Sequence, residues 1–170
     1  MAIARANNLR EQLEDTLRGR VCFMGVGNAE CGDDAFGVDL AQSLLEAGVP
    51  DVIVAGNSPE RSIATVAALE FDHMVFLDAV ELGGRAEPGS VVFLDSGDML
   101  ARYPQVSTHK ISLGMLAKFV ESGGATKAWL LGVQPESIKE KQSLSPPVRK
   151  TSGLLLELLS RLKTQEEIVC

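Results

Sequence analysis

The stretch Val21-Cys-Phe-Met-Gly-Val-Gly-Asn-Ala-Glu-Cys-Gly-Asp-Asp34-Ala-Phe-Gly37 narrows the possible folds more than any other part of the chain. It begins with an unbroken apolar run, Val21 to Val26, interrupted only by Gly25. A strand with no polar alternation is covered on both faces, the signature of a parallel sheet flanked by helices. A glycine-punctuated loop follows, and two adjacent carboxylates then open a segment with Phe36, Leu40 and Leu44 four residues apart. That is a helical stripe, with Leu45 beside it. In open α/β sheets ligands gather beyond the carboxyl ends of the strands, where Asp33 and Asp34 stand.

The rest of the chain repeats the alternation. Further strands are expected at 51–55, 74–78, 90–95 and 127–133. A first helix at 4–18 carries Leu9, Leu13 and Leu17, and Gly19 ends it. Another, capped by Asn57 or Ser58, runs through Ile63, Val66, Ala67 and Leu69. A short helix is expected near 98–103, one at 111–120 with Ile111, Met115 and Phe119 as its stripe, and a closing one at 148–162 with Leu155, Leu158, Leu159 and Leu162. The connection Glu81–Gly89 is too short and too rich in glycine and proline for a helical crossover, so the strand after it is expected to run antiparallel. The reading is a three-layer α/β sandwich with a mixed, mostly parallel sheet of about five strands. A length of 170 residues suits one domain over 1–170, an N-terminal helix in 1–19 leading into the core at 20–162. The connection 134–147 is poor in apolar residues and long enough to suggest function or mobility.

A net charge of −7, with sixteen scattered Lys and Arg, argues against nucleic acid or an anionic membrane as partner. No apolar run has the length of a membrane span, and the N-terminus is too polar for a signal peptide, so a cytoplasmic location is expected. Cys22, Cys31 and Cys170 form neither a CxxC pair nor a disulfide framework. Cys22 reads as core and Cys170 as incidental, while Cys31 lies in the key loop as a minor candidate for a ligand or redox role.

Three ionisable residues share the address defined by the first strand. Asp34 follows strand one, Asp78 ends strand three, and His109 closes the polar turn 104–109. Each has a plainer use: Asp34 as a helix N-cap, His109 as a turn residue. Asp78 is harder to explain away, because an unpaired carboxylate at a buried strand is costly. Together the three suit a divalent transition metal, and a set this small leaves coordination positions for a substrate. Neither an HExxH helix nor a GxSxG elbow occurs. Gly25-Val-Gly27 is not a dinucleotide fingerprint, since the third glycine is missing and Asp33-Asp34 would repel a pyrophosphate. A phosphoacceptor receiver domain is a stronger rival, although its acidic pair would lie directly at the end of strand one and its lysine after the last strand. Here Lys127 begins that strand.

Gly25-Val-Gly-Asn28 with Gly32-Asp-Asp34 and Gly37, then Leu77-Asp-Ala79, Ser107-Thr-His109 and Gly132-Val-Gln-Pro135, resemble the hydrogenase maturation endopeptidases. These blocks lie in order and at the right spacing across about residues 20–162. The resemblance implies an endopeptidase, a hydrolase of aspartyl type. It would remove the C-terminal extension of a nickel-loaded NiFe hydrogenase large-subunit precursor. It assigns the metal-contacting and catalytic roles to Asp34, Asp78 and His109. It also implies that nickel arrives with the precursor, whose cysteine thiolates complete the coordination, possible substitution by another divalent metal included. The partner would be that precursor, met by a monomer. Asn28 and the amides of the Gly25–Gly32 loop, Gly27 among them, are candidates for binding the substrate as an oxyanion hole, or Asn28 merely shapes the loop through a left-handed conformation. Relatives often carry Asp-Gly after strand two, where this chain has Ala55-Gly56. The alternatives are a receiver-like signalling domain and a nickel-binding accessory protein that cleaves nothing.

Overall fold

The computed structural model describes residues 6–102 and 112–168. Strands β1 (Val21–Val26), β2 (Val52–Gly56), β3 (His73–Ala79), β4 (Val91–Asp95) and β5 (Lys127–Val133) form one sheet in the order β2-β1-β3-β5-β4. The first four in that order are parallel, and β4 pairs antiparallel with β5 as the short 81–89 connection requires. Helices α1 (Ala6–Thr16), α2 (Phe36–Glu46), α3 (Glu60–Ala68), α4 (Ser96–Arg102), α5 (Leu113–Glu121) and α6 (Pro146–Ile168) cover it, with a 3-10 turn at Gly32–Ala35 leading into α2.

The two-residue period of the strands divides the core in two. Met24, Met74, Phe76 and Leu130 pack with Ile63, Leu113 and Leu116 of α3 and α5 on one face. Phe23, Val75, Leu77 and Leu131 pack with Leu13, Leu40 and Leu159 of α1, α2 and α6 on the other. The mixed three-layer α/β expectation therefore holds.

Helix α2 lies unusually close to the sheet. A Cβ placed on Gly37 would fall 2.0 Å from the carbonyl oxygen of Leu77 and 2.4 Å from that of Val26. One on Gly25 would fall 2.3 Å from the carbonyl oxygen of Gly37. The two glycines let helix and strand backbones touch, and the start of α2 is thereby fixed over the carboxyl ends of β1 and β3.

Several local expectations fail for physical reasons. In α5 the expected stripe has the wrong phase: Met115 and Phe119 are 61% and 55% exposed, and Leu113, Leu116, Ala117 and Val120 face the sheet instead. That set keeps the i, i+3, i+4, i+7 spacing that a purely fourfold reading misses. Leu45 and Leu69 are likewise exposed, at the edges of their helical stripes. Neither Asn57 nor Ser58 caps α3; Pro59 occupies that position and no side chain bonds there. Ile111 and the turn 104–109 lie outside the described residues.

Cys22 is buried within β1, and desolvation, with Asp51 adding to it, pushes its thiol up to about 12. A thiol reagent at pH 8 is therefore expected to leave Cys22 unmodified in the folded protein and to label it after unfolding in urea. Peptide mapping of the labelled chain checks this, and modification of native Cys22 would contradict it.

Candidate active site

The site is built where β1 and β3 end side by side, Gly25 standing in register with Leu77. Asp78 is the next residue of β3. It is 3% exposed, and its Oδ1 has no hydrogen-bond partner among the described residues. Burial raises its carboxyl well above the ordinary carboxylate range, and the neighbouring charge of Asp34 raises it further. The backbone N–H of Ala79, which donates to it, pulls the other way. A buried oxygen without a partner costs about 1–3 kcal/mol. The cost falls on an atom placed at the ligand edge of the sheet, next to a second carboxylate.

Asp34 is half-buried and does not cap α2, whose first turn carries no side-chain cap at all. Its Oδ2 instead accepts a 2.9 Å bond from the backbone N–H of Asn28, which bends the loop back over its own exit. Gly27 makes that bend possible with φ +130°, and a Cβ there would sit 2.0 Å from the Asp34 carbonyl oxygen. Asn28 is not in the left-handed region, contrary to the loop-shaping alternative. Its side-chain oxygen accepts from Glu30 N–H at 2.9 Å. The loop amides are largely engaged within the fold: Gly27 N–H donates to Gly56 O, Cys31 N–H to Asn28 O and Gly32 N–H to Gln142 O.

The sequence assigns Asp34 to the site and gives its neighbour Asp33 no separate role, and the structure supplies one. Asp33 is fully buried. Its Oδ2 accepts from Glu136 N–H at 2.7 Å, Ser137 N–H at 3.2 Å and the Ser145 hydroxyl at 2.8 Å, and its Oδ1 from Ser145 N–H at 2.7 Å. The 134–147 connection, expected to be functional or mobile, is thus bound to the first loop through Glu136, Ser137 and Ser145. Two adjacent carboxylates in one tight turn must point apart, and that was the available signal. Gln134, from the Gly-Val-Gln-Pro block, is also structural: its Oε1 accepts from Leu82 N–H at 2.7 Å, holding the segment after β3.

His109 lies outside the described residues, so the structure brings together Asp34 and Asp78 and does not place the third member. Among the described residues no group of three His, Cys, Asp or Glu is arranged to hold a metal ion. The pair nonetheless fits a divalent cation chemically, since a cation would give Asp78 Oδ1 a partner and offset the repulsion between the two carboxylates. Cys31 is partly exposed in the loop; burial and then Glu140, Asp34 and Glu30 raise its thiol, which disfavours the thiolate that a ligand or nucleophile needs.

The receiver reading fails on topology. Lys127 opens β5, at the sheet edge opposite Asp78, with its Nζ 4.7 Å from the centroid of Trp129. The sheet order also places β5 between β3 and β4, with β4 reversed. A receiver's sheet runs 2-1-3-4-5.

An α/β sandwich with paired acidic residues at its ligand edge defines a class of site that binds a cation or handles a proton. Comparison with known proteins makes it specific. The chain is 33% identical to the NiFe hydrogenase maturation protease HycI from Thermococcus kodakarensis KOD1, covering 90% of this chain and 99% of that one with a TM-score of 0.78. It is similar to the hydrogenase maturating endopeptidase HybD from E. coli, at 26% identity over 82% of this chain and 89% of that one, TM-score 0.68. The hydrogenase 2 maturation protease of Escherichia coli K12 matches at 26% over 136 residues, 76% of this chain and 81% of that protein. No protein-family profile matches. The chain belongs to the hydrogenase maturation protease family, and is a peptidase. No helix among the described residues is long and apolar enough to cross a membrane.

Proposed function

We propose that this peptidase removes the C-terminal extension of a nickel-loaded NiFe hydrogenase large-subunit precursor, with Asp34, Asp78 and His109 facing the metal. The observation that carries this is Asp78: a buried carboxylate with an unpartnered oxygen, beside Asp34, at the ligand edge of the sheet. His109 belongs to the segment between α4 and α5, and both helices pack on the sheet face that Asp78 shares by parity with Met74 and Phe76. The nickel is cargo of the precursor in this reading, and another divalent metal in its place would meet the same residues.

The chain's own contribution follows from the geometry. Asn28 N–H holds the Asp34 carboxylate toward the site. Burial and then the charge of Asp34 favour the protonated form of Asp78, and a cation held beside the pair would favour the ionised form by offsetting the charge of Asp34. A metal held by these residues would polarise the scissile carbonyl, or one aspartate would take the proton of the attacking water and the metal would serve only to position the chain. The second route makes the enzyme an aspartyl endopeptidase. Since the backbone amides of Gly27 and Asn28 are engaged, substrate contact from this loop falls to the Asn28 side-chain NH2 group. The precursor tail would lie along the loop that Asp33 holds, where Glu136, Ser137, Gln142 and Ser145 frame an open cavity of about 380 Å³. A monomer working in the cytoplasm completes the reading.

Mass spectrometry of a nickel-loaded precursor incubated with this protein tests the proposal. The expected result is a shortened large subunit plus a released C-terminal peptide. Asp34→Ala and His109→Ala are each expected to leave the precursor at full length. Nickel bound with no cleavage by the wild type would favour the non-cleaving accessory role.

A further inference from the structure

We propose that Asp33 is a positioning residue for the cleavage site: its carboxylate fastens the 136–145 loop to the turn that carries Asp34, and so fixes where the Asp34 carboxylate points. The proposal rests on the peptidase reading above.

Asp33 can have no direct part in the chemistry. It is fully buried, and both of its oxygens are taken up by the four bonds from Glu136, Ser137 and Ser145. None of the described ion pairs includes it, so those bonds alone compensate its removal from water. The contact also runs in the opposite direction. Asp33 N–H donates to Ser137 O at 2.8 Å and Gly32 N–H to Gln142 O at 3.1 Å, while Lys141 N–H of the loop adds one more bond to Glu30 O at 2.8 Å. A turn of four residues, Gly32–Ala35, therefore has its position dictated by a loop more than a hundred residues away. Asp34 is the next residue of that turn, and the only described hydrogen bond of its side chain is the one from Asn28 N–H. Shifting Asp33 moves the Cα from which the Asp34 carboxylate projects.

Only a carboxylate satisfies this arrangement. In an asparagine one of the two terminal atoms is an NH2 donor, and whichever way the amide turns that donor meets an N–H of Ser145 or those of Glu136 and Ser137. Asp33→Asn therefore keeps the size of the side chain and breaks the lock. Ser145→Ala removes the hydroxyl bond to Oδ2 and leaves the three backbone donors in place, a milder loosening.

The test compares wild type, Asp33→Asn, Ser145→Ala and Asp34→Ala at a temperature where circular dichroism shows each to be folded. Two quantities are read per folded molecule: kcat for processing of the nickel-loaded precursor, and the affinity of the free protein for Ni2+ by titration calorimetry. Asp33→Asn is expected to lower both by about 10–100-fold, the usual cost of losing a group that orients a metal-facing residue. Ser145→Ala is expected to fall between it and the wild type, and it carries the test if Asp33→Asn does not fold. A purely structural Asp33 would lower the Tm of Asp33→Asn while leaving kcat and Ni2+ affinity unchanged, and that result overturns the proposal. Loss of processing in Asp34→Ala together with wild-type values in Asp33→Asn would overturn the positioning role alone. Normal processing by Asp34→Ala would overturn the site assignment as well.

Discussion

Asp78→Asn is expected to lose precursor processing by about 10²–10⁴-fold, the range for removing a positioned acid–base group, and yet to melt at a higher temperature than the wild type above neutral pH. The two effects have one cause. Burial, and then the charge of Asp34, hold the folded Asp78 carboxyl well above its ordinary range, so the folded protein keeps a proton that the unfolded chain releases near pH 4. Stability from this group is fully present below the unfolded value and is lost as pH rises through the folded one. Asparagine occupies nearly the same volume and has no proton to lose. The Tm difference between the variant and the wild type should therefore be smallest near pH 4, grow in favour of the variant as pH rises, and level off once Asp78 has ionised. Thermal melts from pH 4 to 9 measure it. A difference that does not vary with pH, or that favours the wild type at high pH, would mean that Asp78 is not strained by burial.

Gly37→Ala is expected to destabilise the fold by about 3 kcal/mol or more, although the same change in an exposed helix normally stabilises by about 1 kcal/mol. The new methyl would lie 2.0 Å and 2.4 Å from the carbonyl oxygens of Leu77 and Val26, which are backbone atoms of two paired strands and cannot swing aside. Relief requires lifting α2 from the sheet, and Leu77 adjoins Asp78, so processing should fall along with stability. Gly153 of α6 is the control, since a Cβ there meets nothing within 4 Å. Urea unfolding should show Gly153→Ala slightly more stable than the wild type and Gly37→Ala far less. Equal midpoints for the two would refute the close packing of α2.

What could be read from the chain alone follows the range of the forces involved. Strands β1 and β5 are legible to the residue because their apolar runs are bounded by Arg20 and Gly27 and by Lys127 and Gln134, with the alternation of a half-exposed strand absent from both. The reversal of β4 is legible from the length of its connection. Asp78 stood out because buried carboxylates at strand ends are costly, and its Oδ1 indeed has no hydrogen-bond partner among the described residues. The phase of α5 was not legible, because Met115 and Phe119 are apolar residues on the exposed side. Nor was the separate role of Asp33, which depends on Glu136, Ser137 and Ser145, partners 103, 104 and 112 residues away. Local periodicity carries no information about a bond across that distance.

The bonds between Asp33 and Ser145 have a consequence for synthesis. While the ribosome has made only the first hundred or so residues, the turn bearing Asp34 has neither its anchoring loop nor the strand that bridges β3 to β4. The acidic pair can be set in place only after the segment beyond β5 has emerged. On the proposed site assignment, a nascent fragment of this peptidase would be an incompetent one, its cleaving power arriving only once residues 136–145 have emerged.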